Sequence, residues 1–272
     1  MNLLLALIII SYNVENFFNN RYDTTRKTEQ IARVVCNIGE WEKPAVVGLC
    51  EVENDSCLMR LCQTMSYYPY RFIHYDSPDE RGIDVALLYD SLQFRPVQSQ
   101  PLAVDLGGDQ TRDILFVTGL IRRTDTLHLF MCHLPSMLGG PAHSEWKRQR
   151  AKNILQHHID SLLNACSKAR IIVMGDMNCS PKDDLNGLHN RMVTEEQKGN
   201  GTHCYQGQWS CLDQFYLSPA LDTIARTYIY KAPWLLKEDE KKMDSIPRRT
   251  NYEYHYDRDG FSDHLPIVLN IP

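Results

Sequence analysis

The sequence contains no apolar run long enough to cross a bilayer. Its longest apolar stretch, residues 3–10, has eight residues, whereas a membrane-spanning helix needs about 20. This stretch also lacks the basic start and the small-residue cleavage site of a signal peptide. We therefore expect a buried first strand and no stable membrane insertion. A cytoplasmic location is favoured, with a trimmed leader left open.

Basic residues are also few. The chain has 29 Lys and Arg against 34 Asp and Glu, which gives a net charge of −5 and a pI near 6.1. A dedicated duplex-DNA binder usually presents a basic face, so the charge disfavours that class. A cluster of metal-binding carboxylates would itself add negative charge, and nucleic-acid substrates therefore stay open.

The nine cysteines include no C-x-x-C pair, and their number is odd. Cysteine zinc sites and disulfide frameworks use paired spacings, so we expect free thiols in a reducing compartment and no cysteine zinc site. Cys179 directly follows Asn178, and Cys211 stands two residues before Asp213. Whether the two cysteines are bonded to each other is left open.

Internal repeats and linkers are missing as well. Residues 1–272 are therefore predicted to form one domain.

Hydrophobic patterning predicts an α/β protein with many strands. Short turns between residues 82 and 132 favour antiparallel neighbours over strict β–α–β alternation. Residues 180–208 and 231–260 are polar or loop-rich and are predicted to be irregular. The predicted helices are residues 24–39, 54–66 and 142–165, and the predicted strands are residues 3–10, 44–50, 82–90, 92–98, 113–121, 126–132, 171–178, 212–217, 223–230 and 265–271.

The stretch Arg170–Pro181 carries the clearest signal of a site. Its apolar residues 171–174 are typical of a buried strand, and Gly175 allows another chain segment to approach closely. Asp176 and Asn178 are two residues apart, so their side chains lie on the same side of an extended chain. A buried carboxylate and amide need partners. A turn that uses Asp and Asn for its own hydrogen bonds is the alternative interpretation.

Six further polar residues, or their neighbours, stand at the ends of apolar segments in the same way. Each one alone is more simply explained as a cap, a turn residue or a satisfied core group. Gathered on one rim of a sheet, such residues would form a hard-oxygen metal site with two imidazoles beside it. With Asp176, the set is Asn13, Glu51, His133, Asn178, Asp213, Asp263 and His264.

Six segments of the chain resemble the motifs of the endonuclease/exonuclease/phosphatase superfamily, which includes DNase I. They occur in the family's order and span nearly the whole chain. The resemblance implies a four-layer α/β sandwich, in which two packed mixed β-sheets are flanked by helices and the site lies at one edge of the sheets. The segments are Tyr12–Asn16, Gly48–Asn54, His133–Ser136, Gly175–Asn178, Leu212–Phe215 and Ser262–Pro266.

The resemblance implies a divalent-metal site. Glu51 resembles the carboxylate that holds the metal, Asn13 stands beside it, and Asp263 is similar to a further carboxylate nearby. The implied ion is Mg²⁺, with Mn²⁺ as an alternative. Independently of the resemblance, Mg²⁺ binds hard oxygens, uses one or two carboxylates and keeps several waters.

The resemblance also implies roles in catalysis. Asp176 resembles the group that positions or deprotonates the attacking water, and Asn178 an amide that contacts the phosphoryl oxygen. His264 with Asp213 resembles a pair in which the carboxylate fixes the imidazole tautomer. His133 matches an imidazole that contacts the scissile phosphate or protonates the leaving oxygen.

Four further residues are secondary candidates for substrate binding. Arg81 is expected to reach a substrate phosphate and Asp84 to orient a site histidine, with a structural salt bridge as the equal alternative for each. Arg112 invites the same two interpretations, a phosphate contact or a structural salt bridge. Arg249 lies in the 231–260 segment beside Arg248, where it would bind a second phosphate or form part of a solvated pair.

The predicted function is divalent-metal-dependent hydrolysis of phosphodiester bonds. A nuclease that uses an activated in-line water is the leading hypothesis. The alternative is a phosphatase or phosphodiesterase of a small or lipid substrate, similar to inositol polyphosphate 5-phosphatases or sphingomyelinases, and the mild acidity favours it slightly. A non-catalytic binding module on the same fold is a remote third hypothesis. The expected partner is a phosphate-ester substrate, with nucleic acid among the candidates. The protein is expected to be a monomer.

Overall fold

The computed structural model describes residues 6–19, 23–39, 42–122, 124–137, 139–182, 185–239, 244–252 and 255–272. The helices are α1 (Thr24–Gly39), α2 (Asp55–Thr64), α3 (Pro141–Ala165), α4 (Val193–Gln197) and α5 (Pro219–Asp222), and Pro233–Leu235 form a 3₁₀ turn. The strands are β1 (Leu7–Phe17), β2 (Val46–Val52), β3 (Arg71–His74), β4 (Asp84–Tyr89), β5 (Phe94–Leu102), β6 (Ile114–Ile121), β7 (Asp125–His133), β8 (Arg170–Asp176), β9 (His189–Asn190), β10 (His203–Tyr205), β11 (Gln208–Ser210), β12 (Asp213–Leu217), β13 (Arg226–Ile229), β14 (Leu236–Asp239), β15 (Asp244–Pro247) and β16 (Ile267–Ile271).

Two six-stranded mixed sheets form the centre of the fold. The first sheet has the spatial order β13-β16-β1-β2-β4-β3, and the second has the order β5-β6-β7-β8-β12-β9. In the first sheet β1 and β2 are parallel, and in the second β7 and β8 are parallel. These two pairs are the ones connected through a long helix, α1 or α3, as parallel pairing requires.

Apolar residues on both faces of the central strands hold the layers together. On β1, Ile9 packs into the core between the sheets and Ile10 packs under α1 and α2. On β8, Met174 faces the core between the sheets and Val173 packs under α3. A strand buried on both faces is apolar throughout rather than alternating. The result is the four-layer α/β sandwich that the family resemblance implied.

Several elements differ from the predicted ones. The first strand begins at Leu7 and continues past Asn13 to Phe17, while residues 3–5 of its predicted range lie outside the described residues. β3 was not predicted. The segment 180–208 contains β9, α4 and β10, and the segment 231–260 contains the antiparallel β14–β15 hairpin. These elements are short and polar, so their pattern carries little strand signal.

Two sequence expectations about cysteines and membranes can be compared directly with the structure. All nine cysteines are free, so Cys179 and Cys211 are not bonded to each other. Gln214 Nε2 donates to the backbone carbonyls of both residues, at 2.7 and 3.0 Å.

Among the described residues, no helix has the length and apolar character that crossing a membrane requires.

Gly175 of β8 lies opposite Cys132 of β7. Its φ is +135°, and a Cβ at this position would stand 1.9 Å from the Cys132 carbonyl oxygen. We expect Gly175→Ala to lower the free energy of unfolding by about 3 kcal/mol or more, because backbone strain and overpacking each cost about 1–3 kcal/mol. Urea unfolding measures this loss.

Gly199→Ala is the matched control. Gly199 also has a positive φ, +79°, but a Cβ there would meet nothing within 4 Å. Only the conformational cost remains, so a loss near 1 kcal/mol is expected. Equal losses in the two variants would contradict the close approach at Gly175.

Candidate active site

The site begins at the carboxyl end of β8, where β7 and β8 end and the antiparallel β12 begins. The parallel register pairs His133 of β7 with Asp176 of β8, and the antiparallel register pairs Asp213 of β12 with the same Asp176. The first sheet contributes from across the sandwich, because Asn13 Nδ2 donates to Asp176 Oδ2 at 3.0 Å. Four polar side chains separated by up to 200 residues therefore meet at one edge.

Asp176 is the centre of this group and is almost completely buried. His133 Nε2 lies 3.6 Å and His264 Nε2 3.8 Å from its Oδ2 atom, and the Asn178 backbone N–H donates to Oδ1 at 3.0 Å. Burial raises the pKa of Asp176 to about 6, while His264 acts in the opposite direction. A carboxylate with this pKa is ionised at neutral pH yet more basic than an ordinary aspartate.

His264 is held by Asp213. Its Nδ1 atom lies 2.7 Å from Asp213 Oδ2, and Asp213 is fully buried at the start of β12. Burial alone would lower the pKa of His264, but the carboxylates of Asp213 and Asp176 outweigh it and hold the pKa well above its ordinary value. The imidazole is therefore a cation whose Nε2–H faces Asp176.

His133 is electrostatically different from His264. Burial, reinforced by the charges of Arg112 and Arg81, holds the pKa of His133 well below its ordinary value. Its Nδ1 atom is buried and has no hydrogen-bond partner among the described residues. The two site imidazoles thus carry different charges, one neutral and one positive.

Asn178 occupies the turn that follows β8. Its φ is +48°, a conformation that Asn tolerates better than most residues. Its Nδ2 donates to the Leu134 carbonyl at 3.0 Å, and the Leu134 N–H donates to the Asp176 carbonyl at 2.9 Å. These bonds fix the two segments that follow β7 and β8 against each other.

Glu51 lies at the same edge, one residue after Cys50, which pairs with Asn13. Its φ is +66°. Its Oε2 accepts the Asn16 N–H at 2.9 Å and Arg81 Nη2 at 2.9 Å. No group among the described residues hydrogen-bonds Oε1, which leaves that oxygen available to a ligand.

Asp263 lies beside His264 and within reach of Arg249, whose Nη2 is 3.3 Å from Asp263 Oδ2. Burial would raise the pKa of Asp263, but His264 and Arg249 hold it below its ordinary value. Arg249 also contacts Glu15, with Nε 3.2 Å from Oε1. Arg249 therefore bridges two carboxylates, and its side chain stays 41% exposed, which leaves part of the guanidinium accessible to substrate.

Sequence reasoning missed Glu15. Its buried carboxylate accepts the Thr250 N–H at 2.7 Å and the Thr250 hydroxyl at 2.8 Å, which ties the segment that carries Arg249 to β1. Glu15 stands two residues after Asn13, a spacing that could have indicated a shared face. Positive φ values at Glu15 and Asn16 break the regular strand alternation there.

Sequence reasoning also missed His203, at the start of β10. Its ring centroid lies 4.8 Å from that of His264. No motif or strand pattern around His203 distinguishes it in the sequence, and only the fold brings it to the site.

Arg112 is buried and engaged by protein groups. Its Nη1 lies 2.7 Å from Asp79 Oδ2, Nε donates to the His133 carbonyl at 3.2 Å, and Nη2 donates to the Leu134 carbonyl at 3.0 Å. Of the two interpretations left open by the sequence, these contacts support the structural one. Arg112 braces the segment that carries His133.

Asp84 does not contact His133 or His264, although the sequence suggested that it orients a site histidine. Its carboxylate lies 3.2 Å from His74 Nε2 and accepts the Ser77 N–H at 2.9 Å. The other ring nitrogen of His74 is 2.8 Å from Asp55. Asp84 therefore anchors the loop between β3 and β4, which carries Arg81.

His74 gives this anchor a pH dependence. Burial would lower its pKa, but Asp84 and Asp55 raise it above the ordinary value. Such a group adds stability that is fully present below its unfolded pKa and is lost as pH rises through its folded pKa. We expect His74→Gln to cost roughly 1 kcal/mol more at about pH 6 than at about pH 9, a value kept small because Asp55 is exposed. Urea unfolding at both pH values tests this, and a cost independent of pH would contradict it.

The donor set at this edge fits a divalent cation. Glu51, Asp263 and Glu15 all act electrostatically on the buried ammonium of Lys27, whose pKa burial lowers to about 8. The Lys27 ammonium offsets part of the negative charge of these carboxylates. Carboxylate and amide oxygens are the ligand types that Mg²⁺ prefers. Glu51 and Asp263 would hold the ion, with Asn13 beside them.

The two packed mixed sheets with helices on their outer faces form a DNase I-like α/β sandwich. A family model described as "Endonuclease/Exonuclease/phosphatase family" matches residues 12–272. The chain belongs to this family of phosphoesterases. No curated protein matches it by sequence.

Solved structures share the fold at low sequence identity. Truncated Caenorhabditis elegans TDP2 is 16% identical with a TM-score of 0.68, and the match covers 98% of both chains. TDP2 from D. rerio, complexed with a single-strand DNA product, is 17% identical with a TM-score of 0.64 and covers 98% of this chain and 99% of that one. A Bacteroides thetaiotaomicron mannosyl-6-phosphatase is 15% identical with a TM-score of 0.65 and covers 98% and 100%.

Proposed function

We propose that the protein is a divalent-metal-dependent phosphodiesterase that cleaves nucleic acid with an activated water. The arrangement around Asp176 carries this proposal. A buried, weakly basic carboxylate has an imidazolium, a neutral imidazole and an amide within 3.0–3.8 Å of one oxygen. Phosphate-ester hydrolysis needs such a group to orient water, with positive charge beside it to stabilise the transition state.

Each residue then has one task. Asp176 accepts a proton from the attacking water, and the His264 imidazolium, oriented by Asp213, stabilises charge on the phosphoryl oxygens. His133 is neutral, so it contacts the phosphate as a hydrogen-bond donor rather than protonating the leaving oxygen. Asn178 contributes an amide near the phosphoryl group.

The metal would be held by Glu51 and Asp263 with Asn13 adjacent. Bound Mg²⁺ or Mn²⁺ would neutralise negative charge on the phosphoryl group. Arg81 and Arg249 flank these carboxylates and stay partly exposed, and we assign them to substrate phosphates. The similarity to TDP2 bound to a single-strand DNA product supports nucleic acid as the substrate class.

A phosphatase acting on a small substrate is the second candidate. The mannosyl-6-phosphatase has a TM-score close to those of the TDP2 structures, and the net charge of −5 lacks the basic excess that favours polynucleotide binding.

A substrate panel with Mg²⁺ or Mn²⁺, each with an EDTA control, tests the proposal. The panel holds single-stranded DNA, an abasic duplex, plasmid DNA, single-stranded RNA, bis-p-nitrophenyl phosphate, sphingomyelin, inositol phosphates and mannose 6-phosphate. We expect EDTA-sensitive cleavage of a polynucleotide. Turnover of the monoesters with intact DNA and RNA would replace this proposal with the second candidate.

A further inference from the structure

His203 approaches the site from a hairpin that none of the proposed roles uses. β10 and β11 pair from His203↔Ser210 to Tyr205↔Gln208, and the backbone of His203 forms an isolated antiparallel bridge with His264. The Leu265 N–H donates to the Thr202 carbonyl at 2.7 Å. The hairpin is therefore fixed to the segment that carries His264. These backbone contacts place His203 beside His264.

His203 completes a set of metal-ligating side chains. One ligand atom each from His203, Asp263 and His264 lies within 4.8 Å of the other two. Ligands bound to one ion at about 2.0–2.2 Å stand about 3.4 Å apart in tetrahedral geometry. Small rotamer changes of roughly 1 Å therefore suffice to close the three atoms around an ion.

Each imidazole of this set has a nitrogen that no hydrogen bond engages among the described residues. His264 uses Nδ1 on Asp213, and the ion would displace the proton that Nε2 carries, with Asp213 supporting the ring as in carboxylate–histidine metal sites. No hydrogen bond engages either ring nitrogen of His203 within the described part of the chain.

A second group of the same size does not meet these conditions. His74, Asp76 and Asp84 also lie within ligand distance of one another. Both ring nitrogens of His74 are already engaged, one by Asp55 and one by Asp84. The group at His203 is therefore the stronger metal site.

We propose that His203, Asp263 and His264 form a site for a borderline divalent transition-metal ion, with Zn²⁺ as the best fit. Two imidazoles and one carboxylate are the donors that Zn²⁺ and Co²⁺ prefer, whereas Mg²⁺ selects oxygen ligands. Arg249 lies 3.3 Å from Asp263 and opposes a cation, so the ion binds reversibly rather than as a permanent structural metal.

Occupancy of this site would inhibit the enzyme. The ion would take His264 Nε2, which otherwise faces Asp176, and would share Asp263 with the site proposed for Mg²⁺. This consequence rests on the proposed function, whereas binding itself does not.

Direct binding is the first test. Zn²⁺ binding by calorimetry and Co²⁺ binding by its visible d–d absorption are measured for the wild-type protein and for His203→Phe. Phe keeps a ring against His264 but offers no ligand atom. We expect His203→Phe to weaken binding by at least about tenfold and to remove the intense absorption of low-coordinate Co²⁺. Equal affinities and spectra would overturn the proposal.

His189→Phe is the matched control. His189 pairs with Asp222 at 2.8 Å but is largely exposed and lies outside the proposed site. Its variant should bind both ions as the wild type does. Because free thiols also bind these ions, the difference between variants reports the site rather than the total uptake.

Inhibition is the second test. Zn²⁺ is titrated into Mg²⁺-supported hydrolysis of bis-p-nitrophenyl phosphate, and half-inhibition should need at least about tenfold more Zn²⁺ in His203→Phe. Wild-type and variant curves that coincide would contradict inhibition through this site. If the protein hydrolyses no ester, the proposed function fails, while the Co²⁺ spectra still decide whether the metal site exists.

Discussion

Asp176→Asn should lower kcat by about 10³-fold or more while leaving the protein folded. The change removes the group to which we assign proton transfer from the attacking water, and general-base catalysis contributes about 10²–10⁴-fold. It also replaces the acceptor that faces Asn13 Nδ2, so the polar centre of the site is lost. Steady-state hydrolysis of bis-p-nitrophenyl phosphate measures the effect, and circular dichroism checks the fold.

Asp90→Asn is the control for losing a buried carboxylate elsewhere. Asp90 is buried like Asp176, and its carboxylate lies 3.0 Å from Lys43 Nζ. It directly follows β4, at the opposite end of that strand from Asp84. It should lose stability but keep its kcat. A kcat for Asp176→Asn within about tenfold of the wild type would contradict the role assigned to this carboxylate.

Asp213→Asn should lower kcat by about 10²–10⁴-fold, through His264 rather than through substrate contact. The carboxylate accepts from Nδ1–H, orients the imidazolium and supports its positive charge, and a neutral amide in its place removes that charge support. Because the two residues act as one unit, the double variant with His264→Ala should be about as slow as His264→Ala alone. A double-mutant cycle on kcat measures this.

Asp222→Asn provides the geometrical control for that cycle. Asp222 lies 2.8 Å from His189, close to the 2.7 Å of the site pair, but the His189 side chain is 60% exposed. Its replacement should leave kcat unchanged. Additive losses at Asp213 and His264 would show that the two residues do not act together.

Many helices and strands were predictable because their signals are local, whereas their arrangement in four layers rested on the family resemblance. β8 is apolar on both faces, and α1 carries an apolar stripe at helical spacing, so each identifies itself within a few residues. The β14–β15 hairpin was missed because Leu236–Asp239 and Asp244–Pro247 are mostly polar. Its pairing depends on the partner strand, which a local pattern does not contain.

The site was only partly predictable, for a related reason. Strand ends indicated Asp176 and Asp213, but the register that pairs both Asp213 and His133 with Asp176 is a long-range property. His203 carries no local signal at all. The partner of Asp84 also differs from the expected one, because β3, which ends in His74, was not predicted.

Arg112 shows the same limit for charged residues. A lone arginine before a strand is compatible with a phosphate contact or a salt bridge, and only the fold shows that Asp79 and two backbone carbonyls occupy its donors. Burial decides between the two interpretations, and burial depends on packing between distant segments.

We propose that Glu51 and Asp263 hold a divalent ion that hydrolysis requires. The most direct measurement is hydrolysis of bis-p-nitrophenyl phosphate by EDTA-treated protein as Mg²⁺ is added back. We predict no turnover before addition, saturable recovery afterwards, and a requirement for at least about tenfold more Mg²⁺ in Glu51→Gln. Turnover that EDTA does not change, or identical Mg²⁺ dependence in Glu51→Gln, would contradict the claim.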